Sequence, residues 1–119
     1  MEWTVILHET FEAELLELAD EIQDEIASHA VLLETFGPQL GRPYVDTLEN
    51  SKHSNMKELR FKAANGVWRV AFAFDPDRQA ILLVAGDKSG ISQTRFYKKL
   101  IKTADERFSE WINREKETV

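Results

Sequence analysis

Two arginines on neighbouring runs of alternating sequence, Arg60 and Arg69, are the residues of this chain best suited to phosphate chemistry. A guanidinium is planar, donates paired hydrogen bonds to a phosphate and stays charged at any working pH. Around them stand groups that could move protons: Lys57 and Lys62 on the run of Arg60, Lys88 after a third run, and His53 just before the first. A lysine crowded by other cations has its neutral form favoured, and histidine titrates near neutrality without perturbation. Tyr97 offers a ring on which a nucleobase could stack, with Arg95 and Lys98 beside it as further RNA contacts. Together such groups could bind a phosphodiester, stabilise negative charge added to it and transfer protons around it. Each has a plainer reading too: Arg60 and Arg69 paired with Glu58 or Asp87 on a strand surface, His53 solvated in a polar loop, Tyr97 packed beside Phe96.

The segment Met56 to Gly90 must position these groups. Side chains on a strand alternate between faces. From Met56 to Ala63, the odd positions Leu59, Phe61 and Ala63 form an apolar face, and Glu58, Arg60 and Lys62 the opposite one. From Val67 to Phe74, Trp68, Val70, Phe72 and Phe74 are apolar, while Arg69 shares its face with Ala71 and Ala73, suggesting a shallow floor. Ala64, Asn65 and Gly66 suit a hairpin turn, Asp75, Pro76 and Asp77 a second turn, and Ala80 to Ala85 reads as a central strand covered on both sides. In a three-stranded antiparallel sheet, Arg60, Lys62 and Arg69 then share a face and Lys88 lies at its rim.

The rest of the chain frames that sheet. Glu2 to Leu7 reads as a first strand. From Glu9 to about Phe36, Phe11, Leu15, Leu18, Ile22, Ile26, Leu33 and Phe36 recur at helical spacing among acidic residues. Asp20 followed by Gln23 resembles a capping box, which predicts a helical hairpin broken near Ala19. Gly37 and Pro38 end the helix, and 39 to 55 reads mostly as loop. Ser92 suits the cap of a last helix whose Phe96, Leu100, Ala104, Phe108 and Trp111 make a stripe for the sheet, with 114 to 119 expected as a frayed tail.

A chain of 119 residues without cysteine is expected to form one domain spanning 1–119, with an ordinary core. That composition excludes a disulfide scaffold, a thiol nucleophile and a thiolate metal site. His8 and His29 assemble no convincing metal site, and no cofactor is expected. The acidic amino terminus reads as neither a signal peptide nor a membrane span, so a cytoplasmic protein without membrane contact is expected. Net charge is −6 but divided: residues 1–50 hold one basic and 12 acidic residues, net −11, and the remainder 14 basic and 9 acidic, net +5. A polyanion could dock on one side and be repelled from the other.

Taken together, Leu40 to Val45, Lys57 to Phe61, Trp68 to Pro76, Gly86 to Lys88 and Phe96-Tyr97 resemble the phage-derived HigB-like branch of the RelE/ParE toxin superfamily. The resemblance implies an α+β RelE-like fold: strand, helical hairpin, three-stranded antiparallel sheet and C-terminal helix. It implies a toxin of a type II toxin–antitoxin pair, partnered by a helix-turn-helix antitoxin and acting as a metal-independent, ribosome-dependent messenger-RNA endoribonuclease. ParE-like members share the fold and poison gyrase instead, so a non-catalytic protein-binding toxin or an inert, repurposed domain is the alternative. Carried across by position, Arg69 stands where such nucleases contact the scissile phosphate, Lys57 and Arg60 where they hold a basic pair, Lys88 just after the last strand, and Tyr97 where a tyrosine stacks on a base. The acidic total, Glu58 within the basic strand and the helix continuing past Tyr97 depart from the family's pattern.

Overall fold

The computed structural model describes residues 3–117. The order is β1 (Thr4–Leu7), α1 (Glu9–Leu15), α2 (Asp20–Phe36), a 3-10 turn (Gly37–Gln39), β2 (Val45–Thr47), β3 (Met56–Ala63), β4 (Gly66–Phe74), β5 (Gln79–Asp87) and α3 (Gln93–Glu117). The strands make one five-stranded mixed sheet, ordered β1-β5-β4-β3-β2. The expected three-stranded antiparallel unit, β3 to β5, is its centre; β1 extends it in parallel beside β5 and β2 antiparallel beside β3. Strand β2 lies inside the stretch read as loop, where Val45 pairs with Leu59 and is buried.

Alternation divides the sheet into two apolar faces. Leu59, Phe61, Val70, Phe72, Ala80 and Leu82 pack with Phe11 of α1 and Ile22, Ile26 and Leu33 of α2. Met56, Ala71, Ala73, Ile81 and Leu83 pack with Phe96, Leu100, Ala104 and Phe108 of α3. Ala71 and Ala73, expected as a shallow floor, are fully buried, because small side chains let α3 sit close over the strand. Phe36, the last residue of the predicted helical stripe, is half exposed.

The helical hairpin breaks as predicted, but by a different device. Ala19 is the N-cap of α2 and makes no side-chain cap bond, while Gln23 Nε2 donates back to Leu18 O. At α3, Ser92 Oγ accepts from Arg95 N–H and Ser92 O from Phe96 N–H. The helix runs through Glu117, into the stretch expected as a tail, and Arg114 reaches back to Glu9 at 3.2 Å. The rest of that predicted tail, and Glu2 of the predicted first strand, lie outside the described residues. In the first hairpin, positive φ falls on Ala64 and Asn65, while Gly66 already pairs with Ala63. A Cβ on Gly66 would lie 2.6 Å from Asp87 Oδ2. No helix among the described residues is long and apolar enough to cross a membrane.

Candidate nucleic-acid cleavage site

Register brings the two arginines together: Arg60 on β3 stands directly opposite Arg69 on β4, on the α3 side of the sheet. Two guanidiniums so placed repel unless a carboxylate lies between them, and Glu58, two residues before Arg60 on the same face, supplies it. Glu58 Oε1 accepts from Tyr97 OH at 2.8 Å and lies 3.6 Å from Arg69 Nε; Arg69 Nε also donates to Tyr97 OH at 3.2 Å. Glu58 Oε2 lies 3.5 Å from Arg60 Nη1. A strand glutamate, two strand arginines and a helix tyrosine thus lock α3 onto the sheet.

Arg69 and Arg60 hold different stations in this cluster. Arg69 is 5% exposed, its Nη1 donating to Trp68 O. Arg60 keeps about a fifth of its side chain exposed and reaches Asp46 Oδ2 at 3.4 Å; Asp46 also binds Arg42 at 2.6 Å. In front of Glu58 and Tyr97 opens a polar cleft of about 430 Å³, lined by Arg42, Asp46, Glu58, Arg60, Lys88 and Tyr97 among others. Arg69 lies behind this lining. Lys88 Nζ sits 5.8 Å from the centre of the Tyr97 ring.

Burial and charge tune these groups in opposite senses. Burial raises the Glu58 carboxyl above the ordinary value of 4.5, against the lowering effect of the Tyr97 hydrogen bond and the two arginines. Lys88 is lowered from 10.5, first by burial and then by Arg69 and Arg60. Tyr97 is raised, first by burial and then by its bond to Glu58, so its hydroxyl stays a donor. Asp46 is lowered, first by the Thr47 backbone N–H and then by Arg42.

The structure gathers only part of the predicted set. Arg60, Lys88 and Tyr97 line the cleft, Arg69 backs it, and Lys62 is exposed one step along the same face of β3. Lys57 pairs with Phe72 and shares the opposite face with Leu59, so it does not join Arg60. His53 does not line the cleft either; its Nε2 meets Ser109 Oγ at 3.0 Å and its ring packs edge-on to Phe108, about 17 Å along α3 from Tyr97. Arg95 lines a separate cavity between α3 and β5, and Lys98 is exposed outside both linings. Sequence reasoning named Glu58 only as an ion-pair partner of Arg60 and Arg69, a pairing the structure contains, and gave it no part in the chemistry of the site. Its signal was a carboxylate placed by alternation among cations on a face otherwise destined for a helix.

A five-stranded sheet with a helical hairpin on one side and a helix on the other is the RelE-like toxin fold. A double-arginine mutant of E. coli toxin RelE in the free state superposes with a TM-score of 0.61 at 9% identity, over 85% of this chain and 95% of that one. RelE in the archaeal RelE–RelB complex of Pyrococcus horikoshii gives 0.56 at 18% identity, over 76% and 99%. In sequence, the family described as phage-derived protein Gp49-like matches residues 13–109. The candidate toxin HigB2 of Mycobacterium tuberculosis is 44% identical over 111 residues, 92% of this chain and 54% of that protein. The candidate toxin HigB3 of the same organism is 52% identical over 81 residues, 68% of each chain. The chain therefore belongs to the phage-derived Gp49-like family and its HigB-like toxins, and spans about half the length of the HigB2 relative.

Proposed function

We propose that this chain is the toxin of a type II toxin–antitoxin pair and cleaves messenger RNA at the polar cleft, on the ribosome and without a metal. The observation that carries the reading is the convergence of Arg60, Glu58, Lys88 and Tyr97, from three separate segments, on one open cleft. Arg60 exchanges Asp46 for the scissile phosphate and stabilises its added negative charge. Glu58, its basicity raised by burial, takes the proton of the 2′-hydroxyl; the 2′-oxygen bonds to phosphorus and the P–O5′ bond breaks, leaving a 2′,3′-cyclic phosphate. Lys88, its acidity raised, gives its proton to the departing 5′-oxygen. Opposite pKa shifts on neighbouring groups are the arrangement that separates a base from an acid. Tyr97 holds Glu58 and presents its ring to a base. Arg69 is a positioning residue, since it reaches Glu58 and Tyr97 and not the cleft. The ribosome would supply the orientation of the message.

One observation favours a different target. In the free chain the cations lining the cleft, Arg42, Arg60 and Lys88, face the carboxylates Asp46, Glu49 and Glu58, so the cleft is not strongly basic. That balance suits a non-catalytic poison that binds a protein such as gyrase. Inducing the chain in a bacterial host separates the two. The nuclease reading predicts cleaved messages and protein synthesis stopping before DNA replication. Arrest with intact messages and replication failing first would overturn it.

A further inference from the structure

Strand β5 leaves part of the sheet edge open. β1 pairs only with Gln79–Leu82; the chain then turns away, with His8 N–H donating to Leu82 O, and among the described residues no strand runs beside 83–87 on that side. Lys88 N–H donates to Val67 O on β4. By the alternation of an antiparallel ladder, Val84 and Gly86 also turn their main-chain groups toward β4, and Ala85 and Asp87 turn theirs outward. Such an edge is a template for an added strand.

This edge adjoins a cavity of about 570 Å³ under the first half of α3, lined by Val84, Gly86, Ile91, Arg95, Phe96 and Lys99 among others. Gly86 lets α3 sit close over β5, because a Cβ there would lie 2.9 Å from Phe96 Cε1. One end is closed where Arg107 donates to Leu83 O and clamps Glu14 at 2.7 and 2.8 Å. The walls are apolar and the rim is cationic: from Gln93 to Thr103, α3 carries Arg95, Lys98, Lys99 and Lys102 and no carboxylate. The one carboxylate in the lining, Asp87, is engaged by Val67 N–H, Ser89 N–H and Ser89 Oγ at 3.0, 2.9 and 2.6 Å.

We infer that this edge takes an extended acidic segment of the antitoxin as a further strand beside 84–87, its apolar side chains entering the cavity and its carboxylates meeting Arg95 and Lys99. An unpaired strand edge calls for main-chain donors and acceptors at strand spacing, which a peptide has and an RNA lacks. The identity of the partner rests on the toxin reading; the chemistry of the segment does not.

The test titrates the full chain, followed by its amide spectrum, with a nine-residue peptide alternating Glu and Leu, a matched Lys–Leu peptide and an oligouridylate. The Glu–Leu peptide is expected to shift the Ala85 and Asp87 amides and slow their exchange, and Lys99→Glu to weaken it at least tenfold. Equal binding of both peptides, the oligonucleotide at these amides, or no change there overturns the proposal. In cells, Lys99→Glu should still arrest growth yet escape neutralisation by the co-expressed antitoxin. Full neutralisation of that variant overturns the docking site and leaves the toxin reading intact. Absence of arrest in both chains removes the toxin reading, and the peptide titration decides the edge alone.

Discussion

The α3 side of the sheet has two ends built on the same strands and the same helix. At one, Met56, Ala71, Ala73, Ile81 and Leu83 meet Leu100, Ala104 and Phe108 with no polar atom needing a partner. At the other, Glu58, Arg60 and Arg69 meet Tyr97, and a cleft opens to solvent. The dry end stabilises by removing apolar area from water, roughly 25 cal/mol per Å². The wet end gains little net stability, because desolvating ions costs about what their attraction returns. What it provides is a set of charges with fixed separation and shifted acidity. The difference shows where this fold stores stability and where it exposes reactive groups.

Variants that break the wet end from inside should show the largest effect. Arg69→Ala leaves the buried Glu58 without its buried cation and with only the partly exposed Arg60 beside it, and should cost about 3–5 kcal/mol, read as a drop in urea midpoint. This variant would lose activity through the fold, which makes it a poor probe of chemistry. At the dry end, Leu100→Ala should cost about 2–5 kcal/mol by leaving a cavity, with message cleavage per folded molecule retained. A stability loss at Leu100 far below that range would mean that α3 is not seated on the sheet as described.

Smaller effects sharpen the contrast. Tyr97→Phe removes both hydrogen bonds of the hydroxyl, the one given to Glu58 and the one taken from Arg69, and should cost about 1.5–3 kcal/mol, measured by thermal unfolding. Glu58 also gives the wet end a pH signature. Its folded-state pKa is raised, so between its ordinary value of 4.5 and its folded value the native state holds more protons than the unfolded one. This group therefore favours folding below pH 4.5 and withdraws that favour as pH rises through the window, opposite to Asp46 and Glu14, whose lowered values contribute stability that is lost as pH falls. Glu58→Gln should make the slope of stability against pH more positive in that window; an unchanged slope would show that Glu58 is not perturbed.

Strand alternation made the two faces legible before any coordinates, and it placed Arg60, Lys62 and Arg69 together correctly. It also put Lys57 with Leu59; only the resemblance assigned Lys57 to the basic pair, and the strand geometry prevailed. Strand β2 was not legible because three residues among Gly41, Pro43 and Asn50 carry too little pattern, and pairing with β3 makes the strand. Glu58 was seen as an interruption because its partners are non-local: Tyr97 lies 39 positions away and arrives only when α3 docks. The same docking takes His53 to Ser109 and Arg95 to the far cavity. Cap and turn chemistry was legible where local, as with Ser92 and with Asp75, which accepts from Asp77 and Gln79 N–H.

The most direct test of the cleft as a nuclease site is message integrity after inducing Arg60→Ala beside the wild-type chain, both confirmed folded. Arg60 is partly exposed, and its removal leaves the buried Arg69 beside Glu58, so the variant should remain folded. The account predicts cleaved messages with the wild-type chain and cleavage reduced about 10²–10³-fold with Arg60→Ala, the usual loss on removing one transition-state donor. Equal cleavage by the two chains would contradict it.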